Sequence, residues 1–131
     1  MRHLVDSDWL IDASGGIPRA LRLIDQLSAD GLGVSIVSVG EVYEGAFSLP
    51  DPASALSAYQ RFLDDFAILL LTEPIMIVFG RIRSRLRRQG QLIPDMDLLI
   101  AATAIHHDLT LVTRNRRHFE CIPELNLYHG N

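Results

Sequence analysis

The 131-residue chain contains no lysine, and its 12 basic residues are all arginine. That absence excludes any mechanism that needs a lysine. A single cysteine, Cys121, permits no internal disulfide, and a lone thiol in an apolar setting reads as a small core residue. There is no Cys/His cluster at ligand spacing, which argues against zinc. Long apolar runs are missing too. Ala67 to Leu71 and Ile75 to Phe79 are short and separated by Thr72, Glu73 and Pro74, so no membrane-spanning helix is expected. The start, Met-Arg-His-Leu-Val-Asp, reaches an acid too early for a signal peptide, and a cytoplasmic protein is expected. With 48% hydrophobic and 21% charged residues, one compact domain over 1–131 is expected. The net charge of −4 argues against a protein that coats nucleic acid generally, although a local basic patch can still serve.

What is present is an alternation of strand and helix patterns. His3 to Val5 reads as a buried strand ending in Asp6. Ile17, Ala20, Leu21, Ile24 and Leu27 fall at helical spacing, with Pro18 suited to a first turn and Gly31 and Gly33 marking the stop. Val34 to Val37 reads as a strand, followed by a helix with Val39, Val42, Tyr43, Ala46 and Phe47 on one face. Beyond the Pro50-Asp51-Pro52 break, Leu56, Tyr59, Leu63 and Phe66 keep the helical period, and Ala67 to Leu71 reads as a fully buried strand. Pro74 opens a long helix with the stripe Ile75, Phe79, Ile82 and Leu86, ended by Gly90. An almost wholly apolar helix starts near Pro94 or Asp95. Thr110 to Thr113 is the next strand, Arg116 to Phe119 a short helical turn, and Leu125 to Tyr128 a last strand. This alternation indicates an α/β fold with a parallel sheet covered on both faces, whose strand order the pattern does not give.

Asp6, Glu41 and Asp97 each stand where a strand gives way to a helix. Open α/β sheets bind ligands beyond the carboxyl ends of their strands, and acids gathered there repel one another unless a cation or proton intervenes. Hard oxygen ligands suit Mg²⁺ or Mn²⁺. Each acid also has a structural explanation. Asp6 and Asp8 favour helix starts as N-caps. Ser38-Val39-Gly40-Glu41 matches a capping box, in which Glu41 would bond back to the Ser38 backbone. Asp95 and Asp97 suit a first helical turn through the helix dipole. Three such junctions on one sheet edge, with no lysine to compensate, favour the metal reading.

The stretches Leu4-Val5-Asp6-Ser7-Asp8-Trp9-Leu10-Ile11, Ser38-Val39-Gly40-Glu41-Val42-Tyr43-Glu44-Gly45, Asp97-Leu98-Leu99-Ile100-Ala101-Ala102-Thr103-Ala104 and Leu111-Val112-Thr113-Arg114-Asn115-Arg116-Arg117-His118-Phe119 together resemble the successive motifs of PIN-domain ribonucleases, above all the VapC-type toxins of toxin–antitoxin pairs. The resemblance implies a three-layer α/β/α fold around a central, mainly parallel sheet of about four or five strands. It further implies a Mg²⁺- or Mn²⁺-dependent endoribonuclease with Asp6, Glu41 and Asp97 as metal-binding acids, and products with a 5′-phosphate and a 3′-hydroxyl. Asp97 is preferred to Asp95 because the family's third acid directly precedes the Leu-Leu-Ile-Ala-Ala run, leaving Asp95 as an auxiliary ligand. The family often places a fourth acid after the last threonine, where this chain has Asn115 and His118. Thr113 and Asn115 are candidates for orienting substrate or an outer-sphere water, with an N-cap as the alternative for Asn115; Ser7 has the same two readings.

Arg81, Arg83, Arg85, Arg87 and Arg88 crowd one helix, either as an RNA-binding face or as a solvated one. Arg114, Arg116 and Arg117 follow the strand carrying Thr113 and are the better substrate-contact candidates. The resemblance implies RNA as substrate, a VapB-like antitoxin as partner, and a homodimer. Trp9, Tyr43, Phe47 and Tyr59 could line a groove but are expected mostly in the core, and Met76 and Met96 are expected as fillers. Two rivals remain. Asp6-Ser7-Asp8 supplies the Asp-x-Asp of a haloacid-dehalogenase-type phosphatase, which the missing lysine and Leu10 count against, and the lysine argument also disfavours response-regulator receivers. A catalytically inactive binding module is the other, suggested by the missing fourth acid.

Overall fold

The computed structural model describes residues 1–130 and contains five strands: β1 (His3–Val5), β2 (Leu32–Ser35), β3 (Ala67–Leu69), β4 (Thr110–Val112) and β5 (Asn126–Leu127). All neighbours pair in parallel, in the order β3-β2-β1-β4-β5. Helices α1 (Ser7–Ser14), α2 (Pro18–Leu27), α3 (Ile36–Phe47), α4 (Pro52–Leu63), α5 (Glu73–Arg88), α6 (Asp95–His106) and α7 (Arg116–Phe119) connect them. The sheet grows from β1 through β2 to β3 on one side and through β4 to β5 on the other. Chain segments leaving β1 and β4 therefore diverge, which opens a crevice at their carboxyl ends.

Period-two alternation decides which side chains face which helical layer. Leu4 and Leu111 pack with Ile82, Leu86, Leu98, Ile100 and Phe119 on one face of the sheet. Val5, Val34 and Val112 pack with Trp9, Leu10, Leu23 and Val42 on the other. Helix ends follow local chemistry. Pro18 and Pro74 occupy first turns, and Asp51 caps α4 by accepting from the Ser54 N–H at 3.2 Å. Gly90 closes α5 at φ +67°, letting the Gln91 N–H reach the Leu86 carbonyl at 2.8 Å.

Several sequence expectations are corrected. The strand expected over Val34–Val37 is Leu32–Ser35, because Ser35 caps α3 by accepting from the Val37 N–H at 3.1 Å, and this capping outweighs the strand preference of the β-branched Ile36 and Val37. The capping box at Ser38 consequently does not form: Ser38 lies inside the helix, fully buried, with no hydrogen-bond partner for its hydroxyl among the described residues. The strand at Ala67–Leu71 is not fully buried. It is the short edge strand β3, with Ile68 42% and Leu70 62% exposed, since an apolar run does not reveal which strand ends the sheet. Phe47, Met76 and Met96 are likewise exposed rather than core residues.

Candidate active site

Asp6 follows β1 and Thr113 follows β4, and the Val5–Val112 register sets them side by side, with the Asp6 N–H bonded to the Val112 carbonyl at 3.0 Å. Asp6 is buried. Its Oδ1 accepts from the Ser7 N–H at 2.8 Å, the N-cap bond of α1, and its Oδ2 accepts from the Thr113 hydroxyl at 2.7 Å. Thr113 Oγ1 in turn accepts from the Asn115 N–H at 3.1 Å. The N-cap and functional readings of Asp6 are thus compatible, because capping uses only one of its two oxygens.

Glu41 lies on α3, beyond its first turn, and is half-buried. Its Oε1 accepts from the Ser7 hydroxyl at 3.1 Å, so Ser7 joins Asp6 and Glu41 across a separation of 34 residues. Asp97 sits in the first turn of α6, which follows α5 through a loop and not a strand as expected, and its Oδ2 stands 2.7 Å from His118 Nδ1. Asp8, the other acid after β1, accepts from its neighbour's backbone, Trp9 N–H, at 2.7 Å and from the Arg114 N–H at 3.0 Å. Both of its oxygens serve the loops, which leaves it unsuited to the second-aspartate role of a haloacid-dehalogenase-type phosphatase.

The electrostatics follow from this crowding. Burial first, then the charges of Asp8 and Glu41, push the Asp6 carboxyl up to about 6 against the opposing bonds from Thr113 and Ser7. Burial also raises Asp8, and burial with the charges of Asp97, Asp8 and Glu44 raises Glu41. Asp6 therefore senses Asp8 and Glu41, and Glu41 senses Asp97 and Asp8, with little neighbouring positive charge. Arg114 is close, but its guanidinium pairs with Asp12 and lies 4.0 Å above the Trp9 ring.

Each acid takes a protein donor on one oxygen, and among the described residues no three His, Cys, Asp or Glu side chains converge at ligand positions. The donor set nevertheless fits a hard divalent ion: oxygens only from Asp6, Glu41 and Asp97, one of them on a buried carboxylate that resists ionisation without a positive partner. Asp97 Oδ1 and Glu41 Oε2 take no protein donor among the described residues.

Other candidates lie differently. Asp95 turns from the cluster to pair with Arg83 at 2.9 Å, with its side chain 62% exposed. Asn115 stands at the start of α7 without a side-chain cap bond. Arg116 contacts His129 through its terminal nitrogen, and its Nε is buried without a partner among the described residues. In the long-helix cluster, Arg85 grips Glu124 with two bonds at 2.6 and 2.8 Å and Arg88 bonds Ser84 at 2.9 Å. The sequence reading missed Ser7 as the bridge between two acids and His118 as the partner of Asp97. Neither pairing has a local signal, since both depend on which strands are neighbours.

The family model described as "PIN domain" matches residues 4–125. "Ribonuclease VapC19" of Mycobacterium tuberculosis is 34% identical, covering 93% of this chain and 95% of its own. "Ribonuclease VapC1" of Methanocaldococcus jannaschii is also 34% identical, over 95% of this chain and 83% of its own. Among solved structures, a DNA-bound VapBC from Salmonella typhimurium superposes with a TM-score of 0.89 at 26% identity, covering 98% of this chain and 97% of the other. VapBC2 from Rickettsia felis, bound to a promoter DNA fragment, gives 0.88 at 25% identity and covers 98% of both chains.

Proposed function

This chain belongs to the PIN-domain family, and on that footing we propose that it is a Mg²⁺- or Mn²⁺-dependent endoribonuclease, the toxin of a toxin–antitoxin pair. The observation that carries the reading is the group of Asp6, Glu41 and Asp97 at the crevice of a parallel sheet, each held by a donor from a different part of the chain. These three residues would hold the ion. When bound, such an ion makes water a better nucleophile and offsets charge developing on a phosphodiester.

The chain's own residues supply the rest. Thr113 and the Ser7 N–H fix the Asp6 carboxylate, and the Ser7 hydroxyl fixes Glu41, so both acids are oriented before substrate arrives. Arg117, Arg87 and Arg81 have no ion-pair partner among the described residues and are available to RNA phosphates. Arg114 instead braces the loop after β4 against Trp9 and Asp12. Water attacks in line and leaves a 5′-phosphate and a 3′-hydroxyl. The VapBC assemblies among the structural neighbours support a VapB-like antitoxin as partner, and a homodimer is part of the same proposal.

The test is growth of a bacterial host after induction of the chain alone. The proposal expects arrest that is relieved by Asp6→Ala or by co-expression of the antitoxin. Arrest undiminished by Asp6→Ala would remove the nuclease as its cause.

A further inference from the structure

We infer that His118 is a positioning residue for Asp97, donating from Nδ1 to Oδ2 so that the other carboxylate oxygen is presented to the divalent ion. The inference rests on the metal-dependent reading above. Its starting point is a pattern: each of the three acids has a dedicated donor from another element, Thr113 for Asp6, Ser7 for Glu41 and His118 for Asp97, the last at 2.7 Å. Helix α7 is anchored for this purpose by Phe119, which is fully buried against the cluster that also contains Leu98, the neighbour of Asp97 on α6. The two side chains are thus presented from adjacent rigid positions, although His118 itself is substantially exposed.

The proton on Nδ1 follows from the geometry. An ionised carboxylate only accepts, so the ring nitrogen facing it must donate, and it does so whether the imidazole is neutral or charged. The two ring nitrogens point apart. With Nδ1 committed to Asp97, Nε2 faces away from the carboxylate with which it would have to share an ion, which favours orientation of a ligand over direct ligation. Groups that orient metal ligands in this way typically change affinity by about 10–100-fold when removed.

The experiment is Mn²⁺ binding to the purified, antitoxin-free chain, followed by calorimetry and by electron paramagnetic resonance, for wild type, His118→Ala, His118→Asn and Asp97→Asn. The expected result is a roughly 10–100-fold loss of affinity in His118→Ala and recovery in His118→Asn, whose amide nitrogen reaches the place of Nδ1 and donates in its stead. Affinity unchanged in His118→Ala, alongside a loss in Asp97→Asn, would overturn the inference and leave the metal site standing. Nitrogen coupling to Mn²⁺ in wild type, with no rescue by His118→Asn, would make His118 a ligand and overturn the positioning role. Unchanged affinity in Asp97→Asn would instead bring down the metal-site reading itself.

Discussion

Replacing Asp6 by asparagine isolates the energetic consequence of burying an acid among acids. The carboxyl is displaced from 3.8 to about 6, which corresponds to about 3 kcal/mol between the ionised and protonated forms. Between those two values the folded state binds the proton more tightly than the unfolded chain does. Stability of the metal-free protein therefore falls as pH rises from about 4 to about 6, and the full penalty persists above that range. The replacement amide carries no charge and retains the local bonding, because its carbonyl can accept from the Ser7 N–H and its nitrogen can donate to the Thr113 hydroxyl. Metal-free Asp6→Asn should accordingly be more stable than wild type at pH 7.5 by up to about 3 kcal/mol, roughly 10 °C in melting temperature. The advantage should shrink to near zero by about pH 4. Urea unfolding of both proteins in EDTA across that range measures it directly. Adding Mn²⁺ should then reverse the order, since an ion at roughly 1,000 times its Kd stabilises only the binding-competent wild type, by about 4.1 kcal/mol. A variant no more stable than wild type at pH 7.5, or one whose advantage is the same at both pH values, would refute the argument from buried charge.

Other expectations follow from single contacts. Thr113→Val removes the hydroxyl donor to a buried carboxylate and should destabilise the protein at pH 7.5 by about 1–3 kcal/mol, with Thr113→Ser close to wild type in the same unfolding assay. Ser35→Ala should lose about 1 kcal/mol by uncapping α3, whereas Ser38→Ala, which removes a buried hydroxyl without a partner, should be neutral or stabilising; the opposite order would restore the capping box at Ser38. Asp95→Ala breaks only an exposed pair with Arg83, so stability should change by roughly 0–1 kcal/mol and Mn²⁺ affinity should stay within twofold, roughly, of wild type by calorimetry.

Much of the layered architecture was legible because helix period, proline starts and glycine stops are local signals. Gly90 ends α5 as read, and the short turn of Arg116–Phe119 falls on the expected residues. What the chain did not disclose depends on tertiary placement. Ala67–Leu71 reads like a core strand, yet it supplies only the edge strand Ala67–Leu69, and the serine that caps α3 is Ser35 rather than Ser38 because β2 ends earlier than its β-branched residues suggest. In the site, Asp6 could be singled out from its strand-to-helix junction, whereas Glu41, inside α3, and Asp97, after the loop from α5, stand at no such junction and were legible through the family resemblance. Their orienting partners were not, since Ser7–Glu41 and Thr113–Asp6 join residues 34 and 107 apart. Asp95 shows the converse. It has the same residue type and nearly the same position as Asp97, yet it pairs with Arg83 across the α5–α6 contact.

The most direct test is cleavage of a mixed RNA pool by the purified, antitoxin-free chain with Mg²⁺ or Mn²⁺ and with EDTA, beside Asp97→Asn. The account predicts cleavage that requires both the ion and Asp97 and leaves 5′-phosphate ends. Cleavage that persists in EDTA or in Asp97→Asn would contradict it, and a folded chain that cuts under no condition yet still binds an antitoxin would mark a catalytically silent binding module.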